Sequence, residues 1–124
     1  MVLEMNDAAN IPQAVQSCHD LLLWLIPPLD KFPRVRRFTL GERIEAGLLA
    51  VLELVVEAAY TRNKEAPLRR ANVQLDVVRH LWRLAHELKV LAPRRYEHGA
   101  ELMDDLGRQI GGWLRSHTPA QPNP

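Results

Sequence analysis

The 124-residue chain is long enough for one hydrophobic core and too short for two. Its 47% hydrophobic and 25% charged content is that of a soluble globular protein, and with only 6 glycines it favours helix over sheet. A single cysteine, Cys18, excludes an intrachain disulfide framework and a cysteine-rich zinc site.

The formal net charge is +1, but it is unevenly spread. Residues 1–30 carry Glu4, Asp7, Asp20 and Asp30 and neither Lys nor Arg, so all 16 basic side chains lie beyond them. Such asymmetry points toward a polyanion partner. The opening "MVLEMNDAAN" lacks a charged-then-apolar leader, and the apolar run 46–60 is interrupted by Glu53 and Glu57. That run is too short and too charged to span a bilayer, so a soluble, cytoplasmic protein with no membrane contact is expected.

A flexible N-terminus over 1–10 leads into a helical domain over 11–117. The first helix is expected from about Pro12 to Lys31, with Val15, His19, Leu22, Leu23 and Ile26 recurring at helical spacing. Pro27 and Pro28 end or kink it, and Phe32–Pro33 reads as an extended link. In "TLGE", Thr39 and Glu42 form a capping-box pattern that predicts a helix from Leu40 to about Arg62. Its centre, "AGLLAVLELVVEAAY", is apolar nearly all round, so this helix should be central or meet another subunit. A third helix over about Pro67–Val90 carries an apolar stripe of Leu68, Ala71, Leu75, Val78, Trp82 and Ala85. Its opposite stripe is Arg69, Asn72, Asp76, Arg79, Arg83 and His86. The fourth, from Pro93 to about Ser116, turns Tyr96, Met103, Leu106, Ile110 and Trp113 inward. Gly107 and Gly111, four apart, predict a close helix–helix approach. The Pro-rich stretch 118–124 is expected to be disordered. Short connections between long helices make this an all-α, up-down-up-down antiparallel four-helix bundle.

No metal, cofactor or catalytic constellation stands out. Positions three before the five histidines hold Gln16, Val77, Arg83, Arg95 and Leu114, so the Glu-x-x-His pattern of di-iron bundles is missing. No nucleophile-elbow or phosphate-loop motif occurs, Cys18 reads as a buried thiol, and Asp104 and Asp105 diverge on a helix. His98 and Glu101 read as a surface pair. The chain does not look like an enzyme.

The cations remain. Lys31, Arg34, Arg36, Arg37 and Arg43 form a corner, Arg62, Lys64, Arg69 and Arg70 surround the second hairpin, and Arg79 and Arg83 mark the third helix. Arginine forks bond phosphate oxygens in pairs. Spacings such as Asp76–Arg79 and Asp76–Arg83 equally allow a solvated, self-neutralised face. Both readings stay open at this level. With no aromatic interleaved, any nucleic acid is expected to be held by its backbone rather than by base stacking.

The segments "WLIPPLDKFPRVRRFTLGERIE", "EAAYTRN" and "YEHGAELMDDLGRQIGGWLRS" resemble the accessory variability determinant proteins of diversity-generating retroelements. The resemblance covers about residues 24–116 and joins several motifs in the right order. More distant relatives are four-helix proteins encoded in ribosomal-RNA intervening sequences. The resemblance implies a four-helix bundle that assembles into a homopentameric barrel and binds nucleic acid. It also implies association with the element's reverse transcriptase, which performs the catalysis, to support mutagenic cDNA synthesis and retrohoming. Arg34, Arg36, Arg37 and Arg43 fall within the matching Phe-Pro…Arg-Phe-Thr-Leu-Gly-x-Arg segment, and "IGGW" would be a packing motif. The alternatives are a helical protein–protein adaptor, or a protein of the intervening-sequence type that does not bind nucleic acid.

Overall fold

The computed structural model describes residues 12–117 and contains helices and no strand among them. The expected tails over 1–10 and 118–124 lie outside the described residues. Helix α1 is Gln13–Asp30, α2 is Glu42–Tyr60, α3 is Glu65–Glu87 and α4 is Pro93–His117. A short helical turn, Arg34–Arg36, and a π-helical turn, Arg37–Gly41, run without a break into α2.

Cross-helix contacts fix the topology. Glu57 meets Arg70 at 3.6 Å, and a Cβ on Gly47 would touch Val78, so α2 and α3 run antiparallel. Trp82 reaches Tyr96, while Arg79 reaches Asp104, which makes α3 and α4 antiparallel too. Trp24 meets His98, and a cleft near the other end joins Pro12–Ala14 to Gln109–Trp113. Helix α1 therefore also opposes α4. Each helix packs on two neighbours, α1 on α2 and α4, and α3 on the same pair. This is the expected up-down-up-down bundle.

The core is one apolar column: Cys18, Leu25 and Leu29 from α1, Ile44, Leu48 and Val55 from α2, Leu75, Val78 and Trp82 from α3, and Met103, Leu106 and Ile110 from α4. The stripe expected on the third helix is buried as read. On α1 the expected stripe is rotated: Leu22 is buried, but His19 and Leu23 face water. With apolar residues at 21 through 26, the spacing fits two faces, and packing against α2 and α4 selects Ala14, Cys18, Leu21, Leu25 and Leu29.

Pro27 and Pro28 do not end α1; both lie inside it, and the last turn tightens through bonds from Lys31 N–H to Pro28 O and Phe32 N–H to Leu29 O. Thr39 is not a cap. Its hydroxyl donates to Val35 O at 2.8 Å, one turn back inside a helix that Pro33 has already started. Nor is α2 central, since Leu49, Val56 and Tyr60 remain exposed on it.

The glycine expectation is also corrected. A Cβ on Gly107 would sit 3.6 Å from Leu75, an ordinary contact, and on Gly111 it would meet only Arg115 of its own helix. Close approach occurs instead at Gly99 and Gly47. A Cβ on Gly99 would lie 2.6 Å from the Trp82 ring, and on Gly47 2.7 Å from Val78. Interlocking across a bundle depends on the facing side chain, which spacing along one helix cannot reveal.

Candidate nucleic-acid interface

Partnering divides the cations. Arg37 is only 23% exposed and bridges Asp30 at 3.1 Å and Glu45 at 3.2 Å, tying the end of α1 to α2. Lys64 donates to the Ala58 and Thr61 carbonyls at 2.6 and 2.9 Å and lies 5.9 Å from the Trp113 ring, closing the end of α2. Arg69 pairs with Glu65 at 2.9 Å, and Arg70 with Glu57. Arg79 lies between Asp76 at 3.2 Å and Asp104 at 2.5 Å. The expected Asp76–Arg83 pair is replaced by Arg83–Glu87 at 2.8 Å, whose hydrogen bond and charge raise the guanidinium pKa. Six of the eleven sequence-selected cations thus have carboxylate or carbonyl partners already.

The other five, Lys31, Arg34, Arg36, Arg43 and Arg62, are exposed and have no carboxylate within ion-pair range among the described residues. Three of them crowd the link after α1. Antiparallel topology puts the α3–α4 link at that same end, and it adds Lys89, Arg94 and Arg95, also exposed and unpaired. Reading the cations along the chain missed these three. The signal was available, because in an up-down-up-down bundle the first and third connections share an end. Arg43 lies about two turns along from Arg36, and Arg62 is at the opposite end. Glu42 and Glu97 are acids near the basic end; Asp30, Glu45 and Glu87 are occupied by Arg37 and Arg83.

Two features of this end run against local stability. Lys89 takes φ 64°, the left-handed region that glycine favours, to let Lys89 N–H reach His86 O and Val90 N–H reach Ala85 O. Arg94 and Arg95 occupy the first turn of α4, which holds no acid, where the helix dipole disfavours cations. Broken local rules gathered in one place mark a site better than charge alone.

Between α1 and α4 at this end runs a groove of about 580 Å3, lined by Leu23, Trp24, Pro27, Pro28, Ala92, Arg94, Arg95 and His98. No carboxylate lines it among the described residues. His98, expected to pair with Glu101, instead meets Trp24 edge-on at 4.8 Å, and Trp24 meets Trp82 at 6.0 Å. A second groove of about 420 Å3 between α3 and α4 includes Asp76 and Asp104 with Arg79, so its charges are largely neutralised. Aromatics therefore do stand among the cations: Trp24 beside Arg94 and Arg95 through the fold, and Phe38, 60% exposed, in the turn that carries Arg34 and Arg36.

Other chemistry is sparse. Burial pushes the Cys18 thiol up to about 12, and its Sγ lies 3.9 Å from the Leu48 carbonyl, so at neutral pH it is a protonated core group. Among the described residues no three His, Cys, Asp or Glu side chains gather as a metal cage. No described helix is long and apolar enough to cross a membrane. No curated protein and no solved structure matches the chain. A model of bAvd-like proteins does match, over residues 13–117, the whole helical bundle. The chain belongs to the bAvd-like family, in agreement with the accessory variability determinant motifs read from its sequence.

Proposed function

We propose that this chain is a non-catalytic accessory protein of a diversity-generating retroelement. Its basic end holds nucleic acid by the phosphates while it serves the element's reverse transcriptase in mutagenic cDNA synthesis and retrohoming. The observation that carries the reading is the convergence of Lys31, Arg34, Arg36, Lys89, Arg94 and Arg95, unpaired, at one end of the bundle. Unpaired arginines can give their full fork to phosphate, whereas paired ones must first lose a carboxylate. Family membership supports the accessory role and the reverse-transcriptase partnership.

Self-association belongs to the same proposal. Val73, Val77, Leu84 and Leu88 form an exposed stripe on α3, and Leu49, Val56 and Tyr60 another on α2. Apolar stripes on different helices suit a head-to-tail ring, in which one surface meets the other on the next copy. A homopentamer, as the family resemblance implies, would repeat the basic end around one axis and multiply its field.

The test is a titration of the full chain, its mass fixed by light scattering, with labelled RNA and duplex DNA at several salt concentrations. The expected result is an oligomer whose affinity falls steeply with salt, about −0.7 log units per phosphate on single strands and −0.9 on duplex. A chain that binds neither at low salt, yet captures the reverse transcriptase, would make it a protein adaptor.

A further inference from the structure

The groove between α1 and α4 has a composition that phosphate binding alone does not require. Its cationic side is Arg94 and Arg95, and its other wall is the apolar surface of Leu23, Trp24, Pro27, Pro28 and Ala92. Leu23 is 66% exposed, so this wall is open to a ligand. Edge contacts with Trp82 and His98 hold the Trp24 ring in place, so the wall is preformed. At about 580 Å3 the groove falls within the size of small-molecule clefts, roughly 300–1,000 Å3.

The two prolines add a second kind of recognition. Because Pro27 and Pro28 have no N–H, the carbonyls of Leu23 and Trp24 lose their helical donors. All four residues line the groove, so its apolar wall is also a stretch of helix from which two backbone donors are missing. A ligand matched to it carries a negative charge, a flat apolar body and N–H donors. A nucleotide in a single strand has all three: phosphate, ring and exocyclic amine. An acidic aromatic peptide spreads its charge, ring and N–H donors over separate residues, whereas a nucleotide joins all three in one unit, and a duplex keeps its rings and amines inside the stack.

We propose that this groove seats an unstacked base of a single-stranded nucleic acid, with Arg94 and Arg95 on the flanking phosphates. The inference rests on the phosphate-binding reading above and goes beyond it. The protein then distinguishes single strands from duplex, and strands with bases from bare backbone, through a site built by α1 and α4.

The experiment compares a labelled single-stranded DNA with an abasic strand of equal length and charge, on the full chain at one moderate salt concentration. Stacking of one base contributes about 1–3 kcal/mol, so the intact strand should bind about fivefold to a hundredfold tighter. Trp24→Leu should remove that preference while leaving abasic binding in place, and circular dichroism reports whether the variant stays helical. If it does not, Leu23→Asn, at an exposed position on the same wall, takes its place in the comparison. Equal affinity for the two strands overturns the base seat and leaves phosphate binding standing. A base preference that survives in folded Trp24→Leu overturns this groove as its location. Failure of both strands to bind at low salt overturns the base seat together with the phosphate reading. Binding of a Phe-containing poly-glutamate peptide in their place would assign the groove to a protein.

Discussion

Two groups of cations on this bundle look alike in sequence and differ in what surrounds them. Along α3, Arg69, Arg79 and Arg83 each meet a carboxylate within 3.2 Å, and Arg70 reaches Glu57 at 3.6 Å. At the end that joins α1 to α2 and α3 to α4, six cations have no such partner among the described residues. The first group is a solvated, internally neutralised face whose surface pairs contribute little to stability. The second includes Lys89 on a left-handed backbone, and Arg94 and Arg95 at a helix N-terminus whose dipole disfavours cations. Arginines kept at a helix N-terminus against its dipole fit the polyanion partner proposed above.

The largest change expected from a single substitution lies beneath the basic end. Gly99→Ala would drive a Cβ into the Trp82 ring and the seat of its hydrogen bond to Tyr96 O. Overpacking costs about 1–3 kcal/mol and helix propensity returns about 1. A net loss of up to about 2 kcal/mol should appear in denaturant unfolding. Gly111→Ala, with only Arg115 nearby, should instead stabilise by up to about 1 kcal/mol. Equal effects at both glycines would mean that the helices do not interlock at Trp82.

Lys89→Gly separates charge from stability. Relief of the left-handed backbone should stabilise the fold by about 1 kcal/mol, while RNA binding weakens as one phosphate contact disappears and its salt dependence shallows by about 0.7 log units. A variant less stable, or one binding RNA as before, would remove Lys89 from the site. On the neutralised face, Arg79→Ala should change RNA affinity little and stability by no more than about 1 kcal/mol, read by titration and thermal melting.

Cys18 supplies a small control with a definite sign. The unfolded thiol ionises near its ordinary 9.0 and the folded one near about 12. Between those values only the unfolded chain gives up its proton, so stability falls as pH rises through that window, by no more than about 1.4 kcal/mol per unit. Cys18→Ala should flatten this alkaline slope in urea titrations at successive pH values. An unchanged slope would mean that the thiol is accessible.

Much of the fold was legible because it is local. The α3 stripe repeats at helical spacing with one apolar face, and short links leave few topologies for four long helices. What escaped was set by neighbours. The buried face of α1 could not be chosen where residues 21 through 26 are all apolar. Thr39 carried a capping signature, yet Pro33 began the helix earlier and the hydroxyl turned back to Val35. Charge itself was plain in the sequence; whether each cation was free was not, since Glu57 and Asp104 reach Arg70 and Arg79 from other helices. Lys89, Arg94 and Arg95 needed one further step, folding the connections onto a common end.

The most direct test of the contrast is a pair of charge reversals assayed side by side for the salt dependence of RNA binding. One variant changes Arg34, Arg36, Arg94 and Arg95 to Glu; the other changes Arg69, Arg70, Arg79 and Arg83 to Glu. The first should lose about four phosphate contacts, making the log–log slope shallower by about 3 units, while the second stays within about 1 unit of the unaltered protein. The opposite ranking, in folded proteins of unchanged mass, would contradict the account and move the nucleic acid to α3.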